Sequence, residues 1–175
     1  MILCAQPKTG SISMTSLKRF SKKWCHPDHA GQTISEDELS SVEYEFGIYL
    51  PLDYREQVLS VGLPSPTLAL LSAIDDREVD LHDLSDLCKP SKIREETLEW
   101  RKAGLPEDLL VIGSDSMGNK FCYNLSDLQK ETGSEASIFF WDHDFLETEK
   151  IAPSFTDWIN GFLGEWSNGI SYSDF

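Results

Sequence analysis

A chain of 175 residues, 40% of them apolar, is long enough for one self-sufficient domain, and a globule of that size buries about 70% of the surface its unfolded chain would expose. Thirty acidic residues against fifteen basic give a formal net charge of −15, which argues against a nucleic-acid backbone or an anionic membrane as ligand and makes a basic protein the natural partner. No run approaches about 18 uninterrupted apolar residues, and the opening MILCAQPKTGSISM has neither a basic lead nor a long apolar stretch, so the chain is expected to be cytosolic.

Residues 1–12 carry no periodic pattern. From 14 to 24, Leu17, Phe20 and Trp24 share one helical side, opposite Lys18, Arg19, Lys22 and Lys23. That basic side reads either as a docking arm or as a solvated face lying against the chain's own acid. The stretch Cys25-His26-Pro27-Asp28-His29-Ala30-Gly31 reads as a linker, and residues 1–33 together as an N-terminal arm. Its Cys/His pair has no second cluster to complete a four-ligand site, so no metal is expected. Cys4, Cys25, Cys88 and Cys122 form no CxxC pair and are read as free thiols.

The domain proper spans 34–165. Ser35 with Glu38 predicts a capping box, Ile34 and Leu39 a hydrophobic staple, and Gly47 the end of that first helix. Pro51 suits a first helical turn, so Leu52 to Val61 is a second helix closed by Gly62. In Leu63 to Ala73, two prolines precede LALLSAI, which reads as a strand or buried connection. Ile93, Glu96, Thr97 and Trp100 share a face between Pro90 and Gly104 and predict a third helix. Val111-Ile112 and then Phe121, Tyr123 and Leu125 at period two predict two strands; Ile138 to Asp144 predicts another. Between the first two, GSDSMGN is a turn. Gly113, Gly118 and Asn119 accept positive φ there, and Asp115 caps the backbone, which makes this a structural turn. Ser154 with Asp157 predicts a last helix with Phe155, Trp158, Ile159, Phe162 and Leu163 as its apolar stripe, and 166–175 is a tail.

The motifs Leu50-Pro51-Leu52-Asp53-Tyr54, Gly113-x-Asp115-x-x-Gly118-Asn119, Trp141-Asp142-His143 and Ala152-x-Ser154-Phe155-x-x-Trp158, in this order and spacing, resemble the SUKH superfamily in its Smi/Knr branch. The likeness runs from about Ile34 to Leu163 and is weakest from Gly62 to Gly104. It implies an α+β single domain, a mixed or antiparallel sheet with helices packed on it. It also implies a role. Bacterial members of the family resemble immunity proteins of polymorphic toxin systems, each neutralising a cognate toxin, often a nuclease. Fungal members imply the second reading, a regulatory scaffold of the kind used in cell-wall control.

Chemistry of its own is a third reading and finds little support. There is no GxSxG elbow, P-loop, HExxH or Rossmann glycine pattern, and no cofactor is implied. The best remaining set is Asp142-His143-Asp144, joined by His82-Asp83 and Asp115, as a base or a metal-dependent centre. Neighbours on a strand alternate faces, however, so the two carboxylates would diverge from His143. The chain is therefore expected to work without catalysis, by binding a toxin with a basic surface. Its acid is spread over the whole sequence, which suits a folded acidic face, although acidity can also serve solubility alone. The expected contact residues are Asp75, Asp76, Asp80, Asp83, Asp142, Asp144 and Glu147, with Trp141 either among them or in the core.

Overall fold

The computed structural model describes residues 13–29, 31–131 and 133–174, so the reading of 1–12 lies outside the described residues. The helices are α1 (Ser16–Trp24), α2 (Glu36–Phe46), α3 (Leu52–Val61), α4 (Ala69–Asp76), α5 (Pro90–Lys102) and α6 (Phe155–Gly161). The strands are β1 (Asp86–Leu87), β2 (Leu109–Ser114), β3 (Lys120–Asn124), β4 (Ile138–Asp142) and β5 (Glu147–Ala152). All neighbouring strands are antiparallel, in the simple order β1-β2-β3-β4-β5. The chain is a single α+β domain.

Local chemistry starts and stops most helices where the sequence says. Ser35 Oγ accepts from the Glu38 N–H at 3.2 Å while Glu38 Oε2 accepts from the Ser35 N–H at 2.8 Å, and Gly47 ends α2 in the left-handed region. Ser154 Oγ takes the Asp157 N–H at 3.0 Å to begin α6. One element departs from expectation. LALLSAI is not a strand but part of α4, with Ala69, Leu70, Ala73 and Ile74 buried at helical spacing. A short apolar run has too little periodicity to tell helix from strand, and here packing on one side decided it.

Period two along β3 and β4 divides the sheet into two faces. Phe121, Tyr123, Ile138 and Phe140 enter the main core with Leu17, Phe20 and Trp24 of α1 and Phe155, Trp158 and Ile159 of α6. Cys122 and Trp141 point the other way, into a smaller core with Leu105, Leu109 and Val111, which Trp100 of α5 closes edge-on to Trp141 at 5.8 Å. Both faces are thus covered, and loss of any one of these buried aromatics costs about 3–5 kcal/mol.

The basic helix is part of this core. Leu17, Phe20 and Trp24 are fully buried, and Trp24 Nε1 donates to the Phe162 carbonyl at 2.9 Å. On its polar side, Arg19 Nη2 donates to Asn160 Oδ1 and Lys23 Nζ to the carbonyls of Ser167 and Ile170, so α1 binds amide and carbonyl oxygens of the C-terminal segment. β1 and β5 were not legible. β1 is only two residues long, and β5, with four exposed residues in a row, has no alternation to betray it.

Candidate functional site

The antiparallel order brings three connections to one end of the sheet: the loop from α4 into β1, the β2–β3 turn and the β4–β5 turn. Their polar groups stitch them together. Asp115, almost fully buried, accepts from the Met117 N–H at 3.0 Å and the Asn119 N–H at 2.8 Å through Oδ1, and from Asn119 Nδ2 at 2.9 Å through Oδ2. Because that carboxylate can only accept, Asn119 must aim its own Oδ1 outward, where it meets the His143 N–H at 3.2 Å and His143 Nδ1 at 2.7 Å. His143 Nδ1 thus donates to Asn119, and Nε2 lies 3.4 Å from Asp144 Oδ1. On the other side, Ser116 donates to Asp83 through Oγ at 3.0 Å and through its N–H. Burial holds the Asp83 carboxyl above the usual aspartate range, and the Ser116 bonds pull partly back.

Two expectations about the β2–β3 turn need correction. Gly118 does hold positive φ, at +91°, but Asn119 does not, and Gly113 lies inside β2. Gly113 is required for space: a Cβ there would come within 2.8 Å of the Asp86 carbonyl of β1, beside a β-bulge between Val111 and Gly113. The bulge also lets the Val111 N–H donate to buried Thr97 Oγ1 at 3.1 Å, which docks α5 on the sheet.

In the β4–β5 turn, Asp142 Oδ1 accepts from the N–H groups of Asp144 and Phe145, at 2.9 and 3.1 Å. Three apolar side chains stand out at this end: Met117 is 74% exposed, Phe145 77% and Leu146 57%. Leu146 also holds φ +55°, and the other non-glycine residue with positive φ among the described residues, Glu78 at +50°, is in the loop leading to β1. Strain on non-glycine residues gathers at sites that are held for a purpose rather than for stability. Asp144 and Glu147, the chain neighbours of Phe145 and Leu146, are exposed beside them.

The expected contact residues separate into three groups. Asp144 and Glu147 are exposed at this end of the sheet, Asp80 is exposed beside Glu149 and Asp157, and Asp142, half-buried, works as a turn acceptor. Asp83 and Trp141 are buried, the first by Ser116 and the second in the smaller core, so neither offers a free surface. Asp75 and Asp76 are exposed at the C-terminal end of α4, where the helix dipole disfavours them, and neither has an ion-pair partner among the described residues. Sequence reasoning missed Met117, Phe145 and Leu146. Their only signal was apolar residues set among turn-forming ones, in DSMGN and DHDFLE. Another exposed aromatic, Tyr44 (90%), stands on α2 just before Glu45, which borders a groove of about 540 Å³ between α2 and α5 with Glu38, Glu95 and Glu99.

Of the carboxylates in that set, Asp142 and Asp115 are committed to turn bonds and Asp83 to Ser116, while Asp144 faces His143 Nε2 at 3.4 Å; His82 lies flat on Phe140 at 3.5 Å. Among the described residues no three His, Cys, Asp or Glu side chains are grouped to hold a metal ion. Cys25, Cys88 and Cys122 are free thiols; burial pushes the first two up to about 12 and raises Cys122 as well. No helix among the described residues is long and apolar enough to cross a membrane.

No curated protein is significantly similar to the chain. The family model described as SMI1 / KNR4 family (SUKH-1) matches residues 33–161. That span begins just before α2 and ends with α6, so it takes in all five strands and every turn of the stitched end. Well over half of the chain being matched, it belongs to the SMI1/KNR4 family (SUKH-1).

Proposed function

We propose that this protein is a non-enzymatic immunity protein of the cytosol, which binds a cognate toxin domain with a basic surface and blocks it by occupying that surface. A nuclease is the fitting class of toxin, since a nuclease must present cationic groups to its substrate. The observation that carries the reading is the trio Met117, Phe145 and Leu146, held exposed on cross-linked turns, with the exposed acids Asp144 and Glu147 flanking the last two. Apolar side chains in the open are the usual centre of a protein interface, and surrounding charge sets the approach and the choice of partner. Membership in the SMI1/KNR4 family supports this, because bacterial members of the family resemble immunity proteins.

The test starts with the neighbouring reading frames. The basic C-terminal domain of a large toxin-like protein encoded immediately upstream should kill cells alone and spare them when this chain is co-expressed. Association of the two purified proteins should be fast at low salt and slow several-fold near physiological strength, where the Debye length is about 8 Å. Reversal of Asp144 and Glu147 to lysine, which leaves Asp142 to hold the turn, should lower the association rate and the protection together. Such a variant that folds, associates at the wild-type rate and protects fully would move the interface elsewhere, with the α2–α5 groove next. A chain that binds no such domain in wild-type form would sink the immunity reading itself.

A further inference from the structure

β5 is an outer strand of the sheet and pairs only with β4. Glu147, Thr148, Glu149 and Lys150 are exposed, and among the described residues no backbone group of β5 bonds to anything beyond the β4 ladder. The strand contains no proline, so each outward N–H is free to donate. Open edges of this kind accept a further strand.

The chemistry on the two faces of β5 says which strand. Glu149 stands opposite Phe140 and Glu147 opposite Asp142, which places both glutamates on one face; Thr148 and Lys150, opposite Trp141 and Phe139, occupy the other. Beside Glu149 lies a crevice of about 210 Å³ lined by Asp80, Asp157, Trp158 and Phe162, with Lys150 also on its border. Three carboxylates against one lysine leave the crevice a negative balance, which with its apolar lining suits the aliphatic stem and charged head of one further lysine or arginine.

A second copy of this chain is a poor occupant. A two-fold axis through an antiparallel pair keeps each residue on its own face, so odd-numbered residues meet odd and even meet even. The two registers that would pair five of the six residues then set Glu149 against Glu149 or Lys150 against Lys150, and like charges directly opposed are destabilising. A foreign strand with a cation at every second position meets no such conflict.

We propose that β5 takes up an extended segment of the basic partner as a sixth strand, with lysine or arginine at alternate positions and one of them in the crevice bordered by Asp80, Glu149 and Asp157. This rests on the reading that the chain binds a basic protein, and adds the mode of recognition. Backbone pairing supplies the affinity; the glutamate face and the crevice supply the choice of sequence.

Two synthetic ten-residue peptides test it on the full chain, one alternating Lys and Thr, the other Glu and Thr, followed by amide hydrogen exchange. The Lys peptide at millimolar concentration should slow exchange of alternate amides in 147–152 more than tenfold, and the Glu peptide should not. The double variant Asp80→Lys, Glu149→Lys should weaken Lys-peptide binding at least tenfold. Absence of binding, equal effects of both peptides, or protection confined to the α2–α5 groove would overturn the proposal. The upstream toxin domain separates the two readings. If it binds wild type and the double variant equally, and leaves β5 amides unprotected, strand addition falls and the immunity role stands. If wild type does not bind it, the immunity role falls, and the peptide result alone decides the edge.

Discussion

The β2–β3 turn gives its one left-handed position to a glycine, Gly118 at φ +91°, whereas the β4–β5 turn puts Leu146 at +55° and leaves it 57% exposed. Both are held by an aspartate that accepts two backbone N–H groups, Asp115 in the first and Asp142 in the second. They differ in what stands behind the aspartate. Asp115 is buried and spends its second oxygen on Asn119, which in turn holds His143; Asp142 is half open to water. The first turn is a scaffold whose conformation costs little, and the second is a display that accepts strain and exposure on the scaffold's support.

Replacing Asp115 by alanine should have the largest effect on folding. It strands three donors in a buried place, and chemical denaturation should show a loss of about 3 kcal/mol. Gly118→Val should come next, at about 2 kcal/mol, from the backbone alone, since the nearest atom to an added Cβ is His143 Cε1 at 3.7 Å. If either variant melts like wild type while partner binding vanishes, Asp115 and Gly118 are themselves contacts rather than supports of Met117, and the contrast between the turns is mistaken.

The display turn should respond in the opposite sense. Phe145→Ser with Leu146→Ser should leave the denaturation midpoint in place and weaken toxin binding by about 2 kcal/mol or more, measured by titration calorimetry. Leu146→Gly alone should raise stability by about 0.5 kcal/mol through relief of the left-handed leucine, yet lower affinity. Unchanged affinity in both variants would make this exposure incidental.

The smallest effect concerns pH. Burial raises the folded-state pKa of Asp83 above its unfolded value, so the folded chain holds that proton more tightly. The resulting stability is present below the ordinary aspartate range near about 4 and is lost as pH rises through the folded value. Asp83→Asn keeps an acceptor for Ser116 and removes the titration. Its stability relative to wild type, from denaturation series across pH 3 to 7, should therefore climb toward neutrality; a constant difference would show that the carboxylate is not desolvated.

Local signals were the legible part. Capping at Ser35 and Ser154, closure at Gly47 and Gly62, and the period of two through Phe121 and Tyr123 each involve residues within a few positions of one another, so the sequence states them directly. The family motifs are of the same kind: turn and cap residues in a fixed order, matched over 33–161. Composition likewise set the acidity, and with it the expectation of a basic partner.

What needed the tertiary structure were the choices made by distant neighbours. Whether LALLSAI is helix or strand was decided by the surface it lies on, and β5 exists because β4 offers it a ladder, its own residues being charged and exposed. Gly113 is explained by the passage of β1, and the burial of Trp141 by Trp100 of α5. The site is of this second kind. Sequence could name the acids, but an exposed Met117, Phe145 or Leu146 is defined by how little the rest of the chain covers it, and only the packed chain determines which apolar side chains are left open.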